Sequence, residues 1–528
     1  DQLAAIHASE SLNQWDMNSP IVEALTFLDD VAKGRHRHTW RPWRQGPLEQ
    51  RAAELRAKLL RAADVRVPDV EEIMTKTNKF SADIVDFVMQ SAGENTRATS
   101  GRGNRERQDV KDVILRQTYS EESRSGGRNA LVMPSDFAEI GHSFTGNVLA
   151  WIKVRPSGLL AEVLVRFVKQ WNLNGKLSLS TAELRTFALN IEDGHQSNPY
   201  HNLAHSIDVT VRLGTILNKS GLADYLSNYS GNDGCITLLA AIISAVVHDY
   251  QHVGLSNHCV VEEGLEVAIK FNDQSCLENQ ALLAALELVR DKETSFCAHF
   301  SRAQHKKLRG LIIKMVLATD MGKHFAVMTA VQTRVLDQHC SSDGRKSVSF
   351  SDFNDEQMHN LMQLILKAAD LGHCGLPINQ HLQWVHGLEQ EMWAQGDLEK
   401  ARGLPISPLA DRTKPGVLWG SNQVGFFQAL ACPLYAMLTT VAPGCRELQE
   451  AVNNNLDFWR QHPEAPPVEM MKKLTPTNRA SHDSASSRVS PLPSKASPQD
   501  DEVEFLLPSG IKPGQSRASL PILAESTE

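Results

Sequence analysis

No membrane-length apolar run, no paired-cysteine motif and no excess of basic charge mark this 528-residue chain, and each absence removes a class of protein. The longest apolar run, ITLLAAIISAVV at 236–247, is too short to cross a bilayer, which takes about 20 residues. The start of the chain carries no signal-peptide pattern, and it begins with Asp1 rather than Met, which leaves room upstream for a membrane or sensory segment. The eight cysteines (235, 259, 276, 297, 340, 374, 432 and 445) are scattered without a C-x-x-C pair. That is the distribution of free thiols in a reducing compartment, so the chain reads as cytoplasmic. A formal net charge of -8 argues against a nucleic-acid-binding surface as the main business. Alternating strand-like runs are scarce, and no internal repeat is visible.

What is present is helical periodicity, in three zones. Residues 1–135 form an N-terminal extension with helix-like segments at 19–34, opened by Ser19 and Pro20 and stopped by Gly34, and at 67–90, followed by the polar break SAGENTRATSGRGNRERQD. Within it, the basic and partly amphipathic stretch 35–66 is a candidate calmodulin target, although Pro42 and Pro47 break its first half and a solvated helix face is the plainer reading. Residues 136–465 repeat apolar positions at three-and-four spacing, as in GLLAEVLVRFVKQW and MHNLMQLILKAADLGH, which predicts an all-α, compact multi-helix bundle. Residues 466–528 turn to Ser, Pro and charge and are expected to be a disordered tail.

Metal-seeking side chains punctuate the apolar helices of the middle zone. His201 and His205 in NPYHNLAHSID share a helix face one turn apart. His248, Asp249 and His252 close the apolar run 236–247, where a buried carboxylate without a partner would cost several kcal/mol, roughly, and a cation is the simplest partner. Glu278, Thr319, Asp320 and Asp370 follow at the ends of further helical runs. Each alone reads as a cap, a solvated turn or a satisfied core histidine. Counted together, two histidines and two aspartates can supply an N2O2 shell that suits zinc, with the remaining polar groups holding waters on a harder ion.

The motifs NPYHNLAHSIDV, HDYQHVGLSN, FNDQSCLEN, VLATDMGKHF, AADLGH, QGDLEKARGLPISPLADR and NQVGFF, in this order, resemble the class I cyclic-nucleotide phosphodiesterases over residues 136–465. HDYQH and His373 are most similar to the calmodulin-stimulated branch. The resemblance implies a deep metal-containing pocket in a helical bundle of the phosphodiesterase or HD type. It implies hydrolysis of cAMP, cGMP or both to nucleoside 5'-monophosphates by a metal-bridged hydroxide. Carried over, His205, His248, Asp249 and Asp370 become ligands of a tightly held metal, expected to be Zn2+. Asp249 would also bridge to a second ion, Mg2+ or Mn2+, with waters held by His252, Glu278 and Thr319. His201 resembles the general acid, Gln423 the glutamine that hydrogen-bonds the purine, and Phe426 and Leu388 the apolar jaws, with Tyr200, Asn257 and His373 completing the lining. Three departures stand out: Gln280 and Ala281 follow LEN where the family reads two histidines, the LADRTKPGVLWGSNQ loop is longer, and GHCGLP replaces the usual continuation. The rival readings are an HD-type metal phosphohydrolase on other nucleotides and a non-catalytic cyclic-nucleotide-binding regulator.

Overall fold

A computed structural model describes residues 82–91, 132–228, 230–339, 348–467 and 470, all within the first of the two units, residues 1–475, into which the chain divides. The expected helix at 19–34, the basic stretch 35–66, the start of the 67–90 segment, the polar break and the tail beyond Met470 lie outside the described residues. Among the described residues there is no strand, and helices follow one another from Val148 to Gln461, as the periodicity predicts.

The helix Ala82–Ser91 (α1) is the described part of the extension, and Val88 packs on Leu430 there, beside Phe426, Met321 and Phe325. Helix Leu203–Lys219 (α2) is buried from Ala204 to Leu217, so its polar side chains must be satisfied internally. Thr210 and Thr215 donate to the carbonyls of Ser206 (2.7 Å) and Val211 (2.8 Å), one turn back. Asp208 and Arg212 form a fully buried pair at 2.8 Å, and the guanidinium also donates to the carbonyls of Phe144 and Gly146. Helix Gly231–Val247 (α3) is apolar all round and lies in the core, which explains a run with no polar stripe.

Helix Cys276–Arg290 (α4) carries Glu278, and helix Asp355–Asp370 (α5) opens with a capping box between Asn354 and Gln357 and ends on Asp370. Two contacts fix that end. The Tyr435 hydroxyl reaches the carbonyls of Ala368 (2.8 Å) and Leu371 (2.9 Å), and the Lys367 ammonium, fully buried, donates to the carbonyl of Thr319 at 3.1 Å. A Cβ at Gly372 would meet the Arg212 side chain at 2.8 Å, so the turn after Asp370 lies against α2 only because residue 372 has no side chain. Helix Ile378–Arg402 (α6) runs past the site. Helix Gly420–Phe426 (α7) continues through a π-helical turn at Phe427–Ala431 into helix Cys432–Val441 (α8), the wide turn falling just before Pro433, which has no N–H to give the helix ladder. Helix Arg446–Gln461 (α9) closes the fold. The segment Gly420–Val441, interrupted by polar residues such as Asn422, Gln423 and Gln428 and so not an unbroken apolar run in the sequence, is nevertheless long and apolar enough to cross a bilayer, and half of its most apolar window is buried inside this fold.

Candidate metal centre and active site

The first turn of α2, the end of α3 and the end of α5 bring four donor atoms to one point. Asn202 caps α2 by accepting from the backbone N–H of Ala204 (2.9 Å) and His205 (3.3 Å), which sets His205 in the first turn. Its Nε2 lies 3.1 Å from Asp370 Oδ1, 3.4 Å from Asp249 Oδ2 and 3.3 Å from His248 Nε2. His248 Nε2 lies 3.2 Å from the same Asp249 oxygen and 3.5 Å from the same Asp370 oxygen. In a tetrahedral site with metal–ligand bonds near 2.0–2.1 Å, neighbouring ligand atoms stand about 3.3 Å apart, so the donor set fits a small divalent ion. His248 Nδ1 donates to the carbonyl of Ala245 at 2.9 Å, which leaves Nε2 as the nitrogen turned to the cluster. Burial opposes charge on both imidazoles, but Asp249 and Asp370 outweigh it and hold both pKa values above the ordinary range. The four ligand atoms lie close enough together that the group could hold one metal ion.

Beside it, His201 is clamped by a residue the motifs did not single out. Glu391 on α6 accepts a hydrogen bond from His201 Nδ1 on one oxygen and from the backbone N–H of Tyr200 and His201, each at 2.9 Å, on the other. Burial disfavours the imidazolium, yet the Glu391 charge and hydrogen bond overcome it and raise His201 to about 9, while Glu391 falls to about 2. A glutamate inside a charged helix reads as solvated. The signal that could have found it is its register, because Trp384, Leu388 and Glu391 lie at i, i+4 and i+7 on one face of α6.

The other expected site residues fall around these two groups. His252 stacks on His201 with ring centroids 4.1 Å apart, and burial lowers its pKa to about 4. Glu278 is raised to about 7 by burial and by the charge of Asp320, whose carboxylate accepts from Ser275 at 2.6 Å. Asn257 donates to both Glu278 oxygens, at 3.1 and 2.9 Å, so its amide nitrogen is already engaged by that carboxylate. Thr319 donates to the carbonyl of Val316 at 2.8 Å, which leaves its oxygen lone pairs to accept. Tyr200 is buried among His201, His205, His373 and Trp384, and Leu388 packs on the Tyr200–Trp384 cluster. His373 is kept neutral by burial and by His381, whose Nδ1 lies 3.1 Å from His373 Nδ1 and whose Nε2 accepts from Trp459 at 3.0 Å. Gln423 is held at one end, its amide nitrogen donating to Val417 O at 2.8 Å, while its oxygen is buried and unpartnered. The amide is therefore tethered rather than free to turn. Phe426 stands half-buried on the same helix, against the Val88–Leu430 contact. Of the two departures after Glu278, Ala281 is buried in the main apolar core and Gln280 is half-buried.

Residues 200–453 match the family described as 3'5'-cyclic nucleotide phosphodiesterase. Over 309 residues the chain is 32% identical to a probable 3',5'-cyclic-AMP phosphodiesterase of Caenorhabditis elegans, covering 58% of this chain and 44% of that one. It is 33% identical to the dual specificity calcium/calmodulin-dependent 3',5'-cyclic nucleotide phosphodiesterase 1B of Bos taurus, covering 57% and 53%. The chain thus spans about half the length of these relatives. In fold it is similar to the crystal structure of the phosphodiesterase domain of the Salpingoeca rosetta rhodopsin phosphodiesterase, at 22% identity and a TM-score of 0.53 over 63% of this chain and 95% of that one. The region that carries the His205–His248–Asp249–Asp370 cluster is thus similar in sequence to the 3'5'-cyclic nucleotide phosphodiesterases, the enzymes that its motifs resemble.

Proposed function

We propose that this domain hydrolyses 3',5'-cyclic nucleotides, cAMP, cGMP or both, to nucleoside 5'-monophosphates. The observation that carries the reading is the convergence of four metal-type donors beside a histidine held protonated by a buried glutamate. His205, His248, Asp249 and Asp370 would hold Zn2+, and Asp249, with His252, Glu278 and Thr319 through waters, would hold Mg2+ or Mn2+. Such ions, when bound, bring the pKa of a water towards neutrality and neutralise phosphoryl oxygens. Glu391 fixes the His201 ring and keeps it charged, so that His201 can pass a proton to the departing 3' oxygen as the ring opens. Gln423 and Phe426 would hold the purine, Leu388 would face it, and Tyr200, Asn257 and His373 would line the site.

Turnover of cAMP and cGMP, with and without chelator, tests the reading: activity should require the metal. His201→Asn should keep the bound metal and lower kcat on cyclic nucleotides by roughly 10²- to 10⁴-fold. A nitrophenyl phosphodiester, whose leaving group needs little protonation, should be much less affected. Chelator-resistant turnover sinks the metal assignment, and equal losses on both substrates sink the role of His201. Hydrolysis of general phosphodiesters in preference to cyclic nucleotides would favour the HD-type phosphohydrolase. The basic stretch 35–66, which lies outside the described residues, is where a calmodulin partner would bind. The seven described cysteines are unpaired, which supports a cytoplasmic site of action.

A further inference from the structure

We propose that the cavity between α6, the 411–419 loop and the 463–466 segment is a second purine-nucleotide site, selective for guanine nucleotides and separate from the pocket of Gln423 and Phe426. The cavity has a volume of about 400 Å³, within the range of roughly 300–1,000 Å³ typical of small-ligand pockets. Its lining is unlike a packing defect. Glu389, only 5% exposed, lines it, and one carboxylate oxygen accepts from the backbone N–H of Leu418 at 2.9 Å. The other oxygen and the remaining lone pairs are acceptors in search of donors. Trp393 and Trp419 add aromatic surface, and Trp393 Nε1 is buried without an acceptor.

The rim carries two cations, one of them already paired with a carboxylate. Arg412 sits over the Trp393 ring at 5.2 Å, held by Asp397 at 2.7 Å, and Lys414 stands exposed beside it. A cationic ligand is therefore disfavoured, because Arg412 already occupies the ring that a cation would seek. The chemistry that suits this lining is a flat ring with adjacent donors for Glu389, stacking surface for the Trp419 indole and a phosphate for Arg412 and Lys414. Guanine presents N1–H and N2–H side by side to a carboxylate. Adenine places the acceptor N1 beside its amino group, and a carboxylate repels it.

The site is also wired to the base pocket. Asn422 donates to the carbonyls of Pro415 (3.3 Å) and Gly416 (2.9 Å), and Gln423 donates to Val417 O, so the loop that covers the cavity is the loop that tethers Gln423.

The test is a titration of the full chain with GMP, followed by tryptophan fluorescence and by equilibrium dialysis. Saturable quenching is expected from GMP and not from AMP. Glu389→Gln keeps an acceptor for Leu418 N–H but replaces one guanine acceptor by a donor, and should weaken GMP binding at least tenfold. Lys414→Ala, an exposed change, should weaken it several-fold with the circular dichroism spectrum unchanged. GMP is also a product of the proposed reaction, so the titration is repeated on the Gln423→Ala/Phe426→Ala variant, where the quenching should persist. GDP and cyclic GMP as competitors show which phosphate the rim prefers. Quenching lost in that double variant but untouched by Glu389→Gln and Lys414→Ala, equal binding of AMP, or no saturable binding would each overturn the proposal. Loss of cyclic-nucleotide turnover alone would overturn the proposed function and leave this site standing.

Discussion

At the scale of single residues, two buried charges make opposite demands. His201 is held protonated by Glu391, so activity that needs its proton should fall as pH rises through about 9. In Glu391→Gln the backbone N–H groups keep an acceptor but the charge is gone, and the basic limb of kcat/KM should move down towards the ordinary histidine value of about 6.5. A limb that stays in place would show that another group sets it. Lys367 is the reverse case, since burial lowers its pKa to about 8 against the pull of Asp370, Asp320 and Glu278. Between pH 8 and about 10.5 the unfolded chain binds the proton that the folded chain has released, so folding stability attributable to this lysine rises with pH across that window. Urea titrations should show wild type gaining up to about 3 kcal/mol on Lys367→Met over that interval. A pH-independent difference would mean that the ammonium is better solvated than its burial implies.

At the scale of elements, the sequence signals for helix ends were the readable ones. The apolar run 236–247 announces a buried helix whose end must hold His248 and Asp249. What could not be read is the partner that finishes an element from far away in the chain. Tyr435 closes the end of α5 from α8, and a tyrosine in CPLYAMLTTV looks like any core aromatic. Tyr435→Phe removes a donor shared by the two carbonyls, of which Leu371 O keeps the Cys374 N–H at 3.0 Å, and should cost about 1–3 kcal/mol in chemical denaturation. Because those carbonyls bracket Asp370, the same variant should also hold metal less tightly, measured as metal content after dialysis. Unchanged stability would indicate that water replaces the hydroxyl. Glu391 and Arg212 were illegible for the same reason: a charged residue at helical spacing reads as solvated until its partner, 190 residues away for Glu391, is in place.

At the scale of the whole molecule, the all-helical class and the site cluster were legible because periodicity and ligand type are local properties. The boundary near residue 136 rests on apolar periodicity and on the extent of the motif resemblance, neither of which reports packing. Helix α1 lies before that boundary, yet Val88 and Leu430 have no exposed surface and meet beside Phe426. Burying side chains of this kind contributes about 1.5–3 kcal/mol each, so Val88→Asp should lower the melting temperature of the full chain. If that temperature is unchanged, α1 is only loosely seated. The contact has a consequence for cooperativity. A segment anchored on the ring expected to stack the purine does not melt alone, so calorimetry should record residues 82–91 and the base pocket losing order in one transition. A nucleotide that rigidifies Phe426 should then also slow proteolytic cutting of α1.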